Sequence, residues 1–273
     1  VTPARQRPTS SSEGEVVATG RLTDPPGVVF DLDGTLIDSE PSWARGFSLG
    51  LAQVLEAHGH GTHDLRPEDM ARFQGGRVPD TVAATLADLG LDAALDAGET
   101  RQVVQAVIDW VCADVAAAPV PIPEAVELAH ALHRRGIRLA VASSSALPFI
   151  DAALEVLGLR EAIPVRTSAI DLPRGKPDPL VYVLTLHEMG LPASRVVAIE
   201  DSPVGVESAV RAGLRCVWFM PGAPDAERAD RVRALKAADT GSGTLAAQVD
   251  ALVAPVPHLR ADDVLRMIGA DAR

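Results

Sequence analysis

Hydrophobic and polar positions along this chain switch between two periods. Val28, Val29 and Phe30 form a short apolar run that ends in acids and a glycine, the pattern of a parallel strand buried on both faces. Further on the helical period takes over: Ala125, Leu128, Ala129 and Leu132 fall at i, i+3, i+4 and i+7, and Gly136 closes the stretch. Residues 137–142 read as a strand. Residues 147–157 read as a helix with Ile150, Ala153, Leu154 and Leu157 on one face and Gly158 as its stop, and residues 165–169 as a weaker strand. A helix over 178–189 has Asp178 as its N-cap, Pro179 in its first turn and Gly190 beyond its end. Residues 195–199 form the next strand, Ser202-Pro203 opens a helix that stops at Gly213, residues 214–219 form a further strand, and residues 251–253 a last short one.

Strand and helix thus alternate with short connections, which predicts an α/β fold: a Rossmann-like, mostly parallel sheet with helices on both faces. One interval breaks the rule. Residues 43–58, 79–89 and 99–115 are helix-like with no strand among them, so an all-helical insertion follows the first strand. The stiff Pro119-Val120-Pro121-Ile122-Pro123 linker closes it. The expected division is an α/β core over residues 27–40 and 119–273, with a helical domain over 41–118. Residues 1–26, rich in Ser, Thr, Pro and Gly, read as a flexible tail outside the fold. Arg5 and Arg7 resemble the start of a signal peptide, but no apolar segment follows them. Residues 225–248 are the least regular, a charged helical piece and then a Thr/Gly/Ser loop.

Composition narrows the partners. A length of 273 residues fits one large domain or two modest ones, and no apolar stretch approaches the roughly 18 residues of a membrane span. The net charge of -12 argues against nucleic acid and against an anionic membrane. A small phosphorylated ligand stays open, because it needs only a local positive spot. The aromatics (3 Trp, 1 Tyr and 5 Phe) are too few for a base-stacking platform. With only two cysteines, Cys112 and Cys216, a disulfide scaffold is excluded, and the apolar surroundings of both fit reduced thiols in the cytoplasm.

Ligands of open α/β sheets bind outside the carboxyl ends of the strands, so those ends are where chemistry is sought. The first strand ends in Asp31-Leu32-Asp33-Gly34-Thr35, the second in Ser143-Ser144-Ser145, and the strand before residue 200 in Glu200-Asp201-Ser202. Lys176 lies in a loop ahead of a helix. Clustered carboxylates repel one another unless a cation sits among them, and hard oxygen ligands suit Mg²⁺. Gly34 permits a tight turn, the Ser143 hydroxyl and nearby N–H groups can hold phosphate oxygens, and Lys176 adds a point charge. Each piece alone has a plain structural explanation, as a helix cap, a turn or a solvated lysine. Their order at successive strand ends of one sheet is what argues for a single pocket.

Those four segments, with Gly175-Lys176-Pro177-Asp178 as the third, resemble the motifs of the haloacid dehalogenase-like superfamily over roughly residues 28–219. The resemblance is to the branch of β-phosphoglucomutase and sugar-phosphate phosphatases, which carries a helical cap where the insertion falls. It implies Asp31 as nucleophile, forming an aspartyl-phosphate, and Asp33 as general acid and then base. It also implies Mg²⁺ held by Asp31, the Asp33 backbone carbonyl and Asp201, with Glu200 a direct or water-mediated ligand. Ser143, the Ser144 N–H and Lys176 would grip the phosphate. An acid at Asp33 separates the chain from the dehalogenases and phosphonate-cleaving relatives, which protonate no alkoxide there.

The mutases of this branch carry a cap histidine shortly after the first motif, and here Trp43 falls at that place. An indole cannot exchange a proton at neutral pH. The segment Ile37-Asp38-Ser39-Glu40-Pro41-Ser42-Trp43 instead resembles hexose- and hexitol-phosphate phosphatases. Gly75-Gly76-Arg77 resembles a cap loop that reaches over the active site, so Arg77 is a candidate substrate contact, or else an exposed turn residue. His58, His60 and His63 lack the matching acid or thiol spacing of a transition-metal site. The expectation is therefore an Mg²⁺-dependent phosphatase of a small sugar or polyol phosphate, monomeric or weakly dimeric. A phosphomutase and a non-catalytic phosphate-binding module are the alternatives.

Overall fold

The computed structural model describes residues 26–61, 76–238 and 244–269. The expected tail lies outside these apart from Pro26, as do His63 and Gly75. Among the described residues, strand β1 (Gly27–Phe30) leads into helices α1 (Glu40–Ala57), α2 (Val78–Asp88) and α3 (Ala97–Ala117). After α4 (Pro123–Arg134) come β2 (Arg138–Ser143), α5 (Leu147–Val156), β3 (Val165–Ser168), α6 (Leu180–Met189), β4 (Val196–Glu200) and α7 (Pro203–Arg211). The chain then runs through β5 (Arg215–Phe219), α8 (Asp225–Ala237), α9 (Thr244–Leu252), β6 (Val253–Val256) and α10 (Ala261–Met267).

The strands form one sheet in the order β3-β2-β1-β4-β5-β6, every neighbouring pair parallel. Because β1 is central, the chain winds to one side through β2 and β3 and to the other through β4 to β6, leaving a crevice beyond the strand ends. The register aligns those ends: Phe30 lies opposite Val141 on one side and Ile199 on the other. Asp31, Ser143 and Glu200 therefore emerge at one edge. Residues alternate between the two faces with the period of two that a strand imposes. Val28, Phe30, Leu139, Val141, Val197 and Ile199 share one apolar cluster with buried residues of α4, α5, α10 and the inserted helices. Val29, Ala140, Ala142, Ala198, Cys216 and Trp218 share the other with residues of α6, α7, α8 and α9.

The described part of the insertion is helical, as its periodicity predicts. Gly46 and Gly50 bring the backbone of α1 against α3; a Cβ at Gly50 would lie 2.7 Å from the Val107 nitrogen. Helix α3 starts in a capping box, with the Asp96 carboxylate on the Gly98 and Glu99 N–H groups and Glu99 reaching back to the Asp96 N–H. Two chain crossings join these helices to the sheet, and they run side by side. Asp38 N–H donates to the Val120 carbonyl at 2.8 Å and Ile122 N–H to the Leu36 carbonyl at 2.9 Å, around an antiparallel bridge between Ile37 and Pro121.

Two expectations need correction near the C-terminus. The last strand begins at Val253, because Ala251 and Leu252 complete α9. In place of the loop expected up to residue 248, Leu245 and Val249 fall at helical spacing and are buried. Helix α6 starts at Leu180, later than expected, with the Asp178 carboxylate still accepting the Leu180 N–H at 3.0 Å. Helix α10 has no counterpart in the expected elements.

Candidate active site

The turn after β1 is built on Gly34, whose φ of +82° lies in the left-handed region. Its N–H donates to the Ile37 carbonyl at 2.8 Å, while the Leu32 carbonyl accepts from Leu36 at 2.9 Å. Glycine is demanded twice here, since a Cβ would come 2.2 Å from Asp201 Oδ2. The first and fourth sequence motifs are thus in van der Waals contact at this residue.

Beside the turn lies a buried ion cluster. Lys176 Nζ is 2.6 Å from Asp31 Oδ1 and 2.6 Å from Glu200 Oε1, and it donates to the Ala142 carbonyl at 3.0 Å. The three side chains are only 3%, 9% and 0% exposed. Glu200 Oε1 also accepts the Tyr182 hydroxyl at 2.7 Å, and Lys176 lies over the Tyr182 ring, 5.1 Å from its centroid. Helix α7 opens directly behind, its Ser202 hydroxyl accepting the Gly205 N–H at 3.1 Å. A Cβ at Gly205 would sit 2.0 Å from Glu200 Oε1, so the carboxylate rests on the helix's first turn. Asp201 accepts from the Thr35 hydroxyl at 3.3 Å, and its backbone carbonyl accepts the Trp218 indole N–H at 2.9 Å.

These contacts set the charges. Burial raises Asp31 well above its usual range, the Lys176 ammonium opposing and the carboxylates of Glu200, Asp201 and Asp33 adding to the rise. Burial and then the Glu200 charge push Asp201 up to about 7. Lys176 is raised as well, but for the opposite reason: burial alone would lower it, and Asp31 and Glu200 outweigh burial and hold it protonated above its ordinary value. One ammonium among three carboxylates leaves the cluster short of positive charge.

Asp33 stands apart from that cluster. Its Oδ1 accepts the Trp43 indole N–H at 2.8 Å and the Ser39 hydroxyl. Its Oδ2 accepts the hydroxyls of Ser145 at 2.6 Å and Ser143 at 3.2 Å. Ser143 in turn accepts the Ser145 N–H at 2.9 Å. Ser144 lies between these two, half-buried. Arg77, at the start of α2, pairs with Asp80 at 2.6 Å and donates to the Leu172 carbonyl, its stem lying along Gly175. It thus ties the inserted helices to the loop that carries Lys176.

A family model for haloacid dehalogenase-like hydrolases matches residues 25–213. The chain belongs to the haloacid dehalogenase-like hydrolase family. Among curated relatives it is 32% identical to validoxylamine A 7'-phosphate phosphatase of Streptomyces hygroscopicus subsp. limoneus, over 69% of this chain and 83% of that one. It is 31% identical to hexitol phosphatase A of Escherichia coli, over 70% and 81% of the two chains. The solved structure of CbbY from Rhodobacter sphaeroides in complex with phosphate is 28% identical, covers 72% of this chain and 86% of that one, and superposes with a TM-score of 0.59. A β-phosphoglucomutase from Clostridium difficile, at 13% identity and a TM-score of 0.65, shares the fold over 90% of this chain.

Within this hydrolase, the structure brings Asp31, Lys176, Glu200 and Asp201 into one cluster and sets Asp33 and Ser143 in hydrogen-bond contact beside it. One carboxylate oxygen each from Asp31, Glu200 and Asp201 lie within 4.8 Å of one another. Arg77 reaches the Lys176 loop with its guanidinium engaged by Asp80 and Leu172. His58 bonds to Glu99 and Gln102, linking the end of α1 to α3. Five side chains of the site were not singled out by spacing: Thr35, Ser39, Ser145, Tyr182 and Trp218. Thr35 and Ser145 lie inside recognised motifs, and Ser39 carried the signal of a helix start. Tyr182 and Trp218 sit in apolar runs that read only as core.

Proposed function

We propose that this hydrolase is an Mg²⁺-dependent phosphatase of small sugar or polyol phosphates that works through an aspartyl-phosphate. Residues 27–40 and 119–273 would form its catalytic core and 41–118 a cap over it. The observation that carries the reading is the buried Asp31–Lys176–Glu200 cluster with Asp201 beside it at the carboxyl ends of β1 and β4. The named activities of two relatives, a validoxylamine phosphate phosphatase and a hexitol phosphatase, support it.

In this reading an Asp31 carboxylate oxygen attacks phosphorus and the ester P–O bond breaks. Asp33 gives its proton to the departing alkoxide. Water then attacks the phosphorus of the aspartyl-phosphate, Asp33 takes a proton from it, and inorganic phosphate leaves with Asp31 restored. Lys176 neutralises charge on the transferring group, and Ser143 with the Ser144 N–H binds phosphate oxygens. Arg77 would hold the cap against the Lys176 loop, next to the leaving group.

A divalent cation fits the donor set. Three carboxylates converge, and the burial and Glu200 charge that push Asp201 up to about 7 are what a hard cation offsets. Asp31, Asp201 and the Asp33 carbonyl would hold Mg²⁺, with Glu200 beside them. When bound, it supplies charge stabilisation for the phosphoryl oxygens. Trp43 argues against a mutase, because an indole N–H at the acid cannot shuttle protons between two hydroxyls. Two free thiols, one of them buried, suit a cytoplasmic setting.

The test is phosphate release from a panel of sugar, polyol and nucleotide monophosphates with Mg²⁺, beside the Asp31→Asn variant. We expect turnover on sugar or polyol esters and none in the variant, with its circular dichroism unchanged. Phosphate migration without release, or full turnover in the variant, would defeat the reading.

A further inference from the structure

We infer that Trp43 is a positioning residue for Asp33, holding the acid in the orientation from which it protonates the leaving oxygen. The inference rests on the phosphatase reading and deepens it. The indole N–H reaches Asp33 Oδ1 at 2.8 Å, from the first turn of the first inserted helix. The ring is not free to wander: its centroid lies 4.8 Å from that of Phe149 on the core helix α5 and 6.0 Å from that of Phe47 within α1. Ser39, the N-cap residue of the same helix, donates to the same oxygen.

The two oxygens of Asp33 are thus divided. Oδ1 is oriented by the entrance to the inserted helices, through Ser39 and Trp43, and Oδ2 by Ser143 and Ser145 of the core. Trp is suited to this task because an indole is a donor only. It aims a carboxyl without competing for the proton in transit. As the P–O bond breaks, that proton passes from Asp33 to the ester oxygen, and Trp43 keeps its own.

The role has a readout that loss of packing would not reproduce. A p-nitrophenolate leaves with little help from an acid, whereas an alkoxide needs one. In kcat/KM, which ends at the first irreversible step, Trp43→Phe should lower the ratio of alkyl phosphate to p-nitrophenyl phosphate about tenfold, a fraction of the roughly 10²–10⁴ that acid catalysis can supply. Phenylalanine keeps the stack on Phe149. Ser39→Ala, which leaves the ring untouched, should shift the ratio in the same direction. Trp43→His returns a ring N–H and should bring the ratio back to within about threefold of wild type.

A ratio unchanged in both Trp43→Phe and Ser39→Ala, or not restored by Trp43→His, overturns the inference. Wild-type protein that releases phosphate from neither ester with Mg²⁺ overturns the phosphatase reading instead, so the two failures are distinct.

Discussion

At the scale of single residues, the site depends on one buried cation facing several acids. Lys176 is enclosed by Asp31 and Glu200 at equal distances of 2.6 Å. Removing one partner of a buried ion pair leaves uncompensated charge and costs about 3–5 kcal/mol. Lys176→Met should therefore lower stability by about that amount in urea unfolding at neutral pH and abolish phosphate release. A variant as stable as wild type would show that the ammonium is not buried between two charged carboxylates. Asp33 is held differently, by hydroxyls and an indole, so Asp33→Asn should leave the fold in place. Phosphate release should fall by roughly 10²–10⁴, the span of a lost acid and base. Retention of the wild-type rate would remove Asp33 from the chemistry.

At the scale of elements, glycines decide how closely the helices and loops approach. Helix α1 meets α3 across Gly46 and Gly50, and at Gly50 the obstructing atom is the Val107 main-chain nitrogen, 2.7 Å from where a Cβ would stand. No side-chain rotation relieves such a contact. Gly50→Val should cost about 1–3 kcal/mol, as other overpacked cores do, read as a shift of the urea midpoint. No shift would mean that the helices separate readily. The crossings at Asp38–Val120 and Leu36–Ile122 matter for a related reason. Because they bond to each other, movement of the inserted helices has to pass through a paired, two-stranded connection. Ser39 and Trp43 follow directly on one of these crossings, which places the grip on Asp33 beside that connection.

At the scale of the molecule, a chain of net charge -12 concentrates three acids in one buried spot. Asp201 is raised from 3.8 to about 7 in the metal-free protein. Between those values the folded state holds a proton that the unfolded chain has released, so Asp201's contribution to stability falls as pH rises through this window. In the proposed reading a divalent cation would take the place of that proton. Apparent Mg²⁺ affinity measured by calorimetry should be about tenfold weaker at pH 6 than at pH 8, following the proton that must leave. Asp201→Asn should remove most of the binding, and with it the part of the pH dependence that Asp201 supplies. An affinity flat across this range would show that Asp201 is ionised before the metal arrives.

Much of this protein was legible in its spacing. Periods of two and of three to four residues are local properties, so the alternation of strands and helices, the helical insertion and the motif-bearing loops could be read without coordinates. The acids of Asp31-Leu32-Asp33, the serines from Ser143, Lys176 and the Glu200-Asp201 pair were readable for the same reason, since each motif is contiguous. Where local signals were thin, around α9, β6 and α10, the reading lost its boundaries. The tertiary structure alone decided which side chains meet. Thr35 touches Asp201 across 166 residues of chain and Ser145 touches Asp33 across 112. Such pairings come from the register of β1 against β2 and β4 and from the seating of α1, which no local period encodes. Tyr182 beneath Glu200 reads as an apolar position in sequence, and Trp43 there marks only a missing histidine, because a polar tip on a hydrophobic ring acquires its role only from what packing sets opposite it.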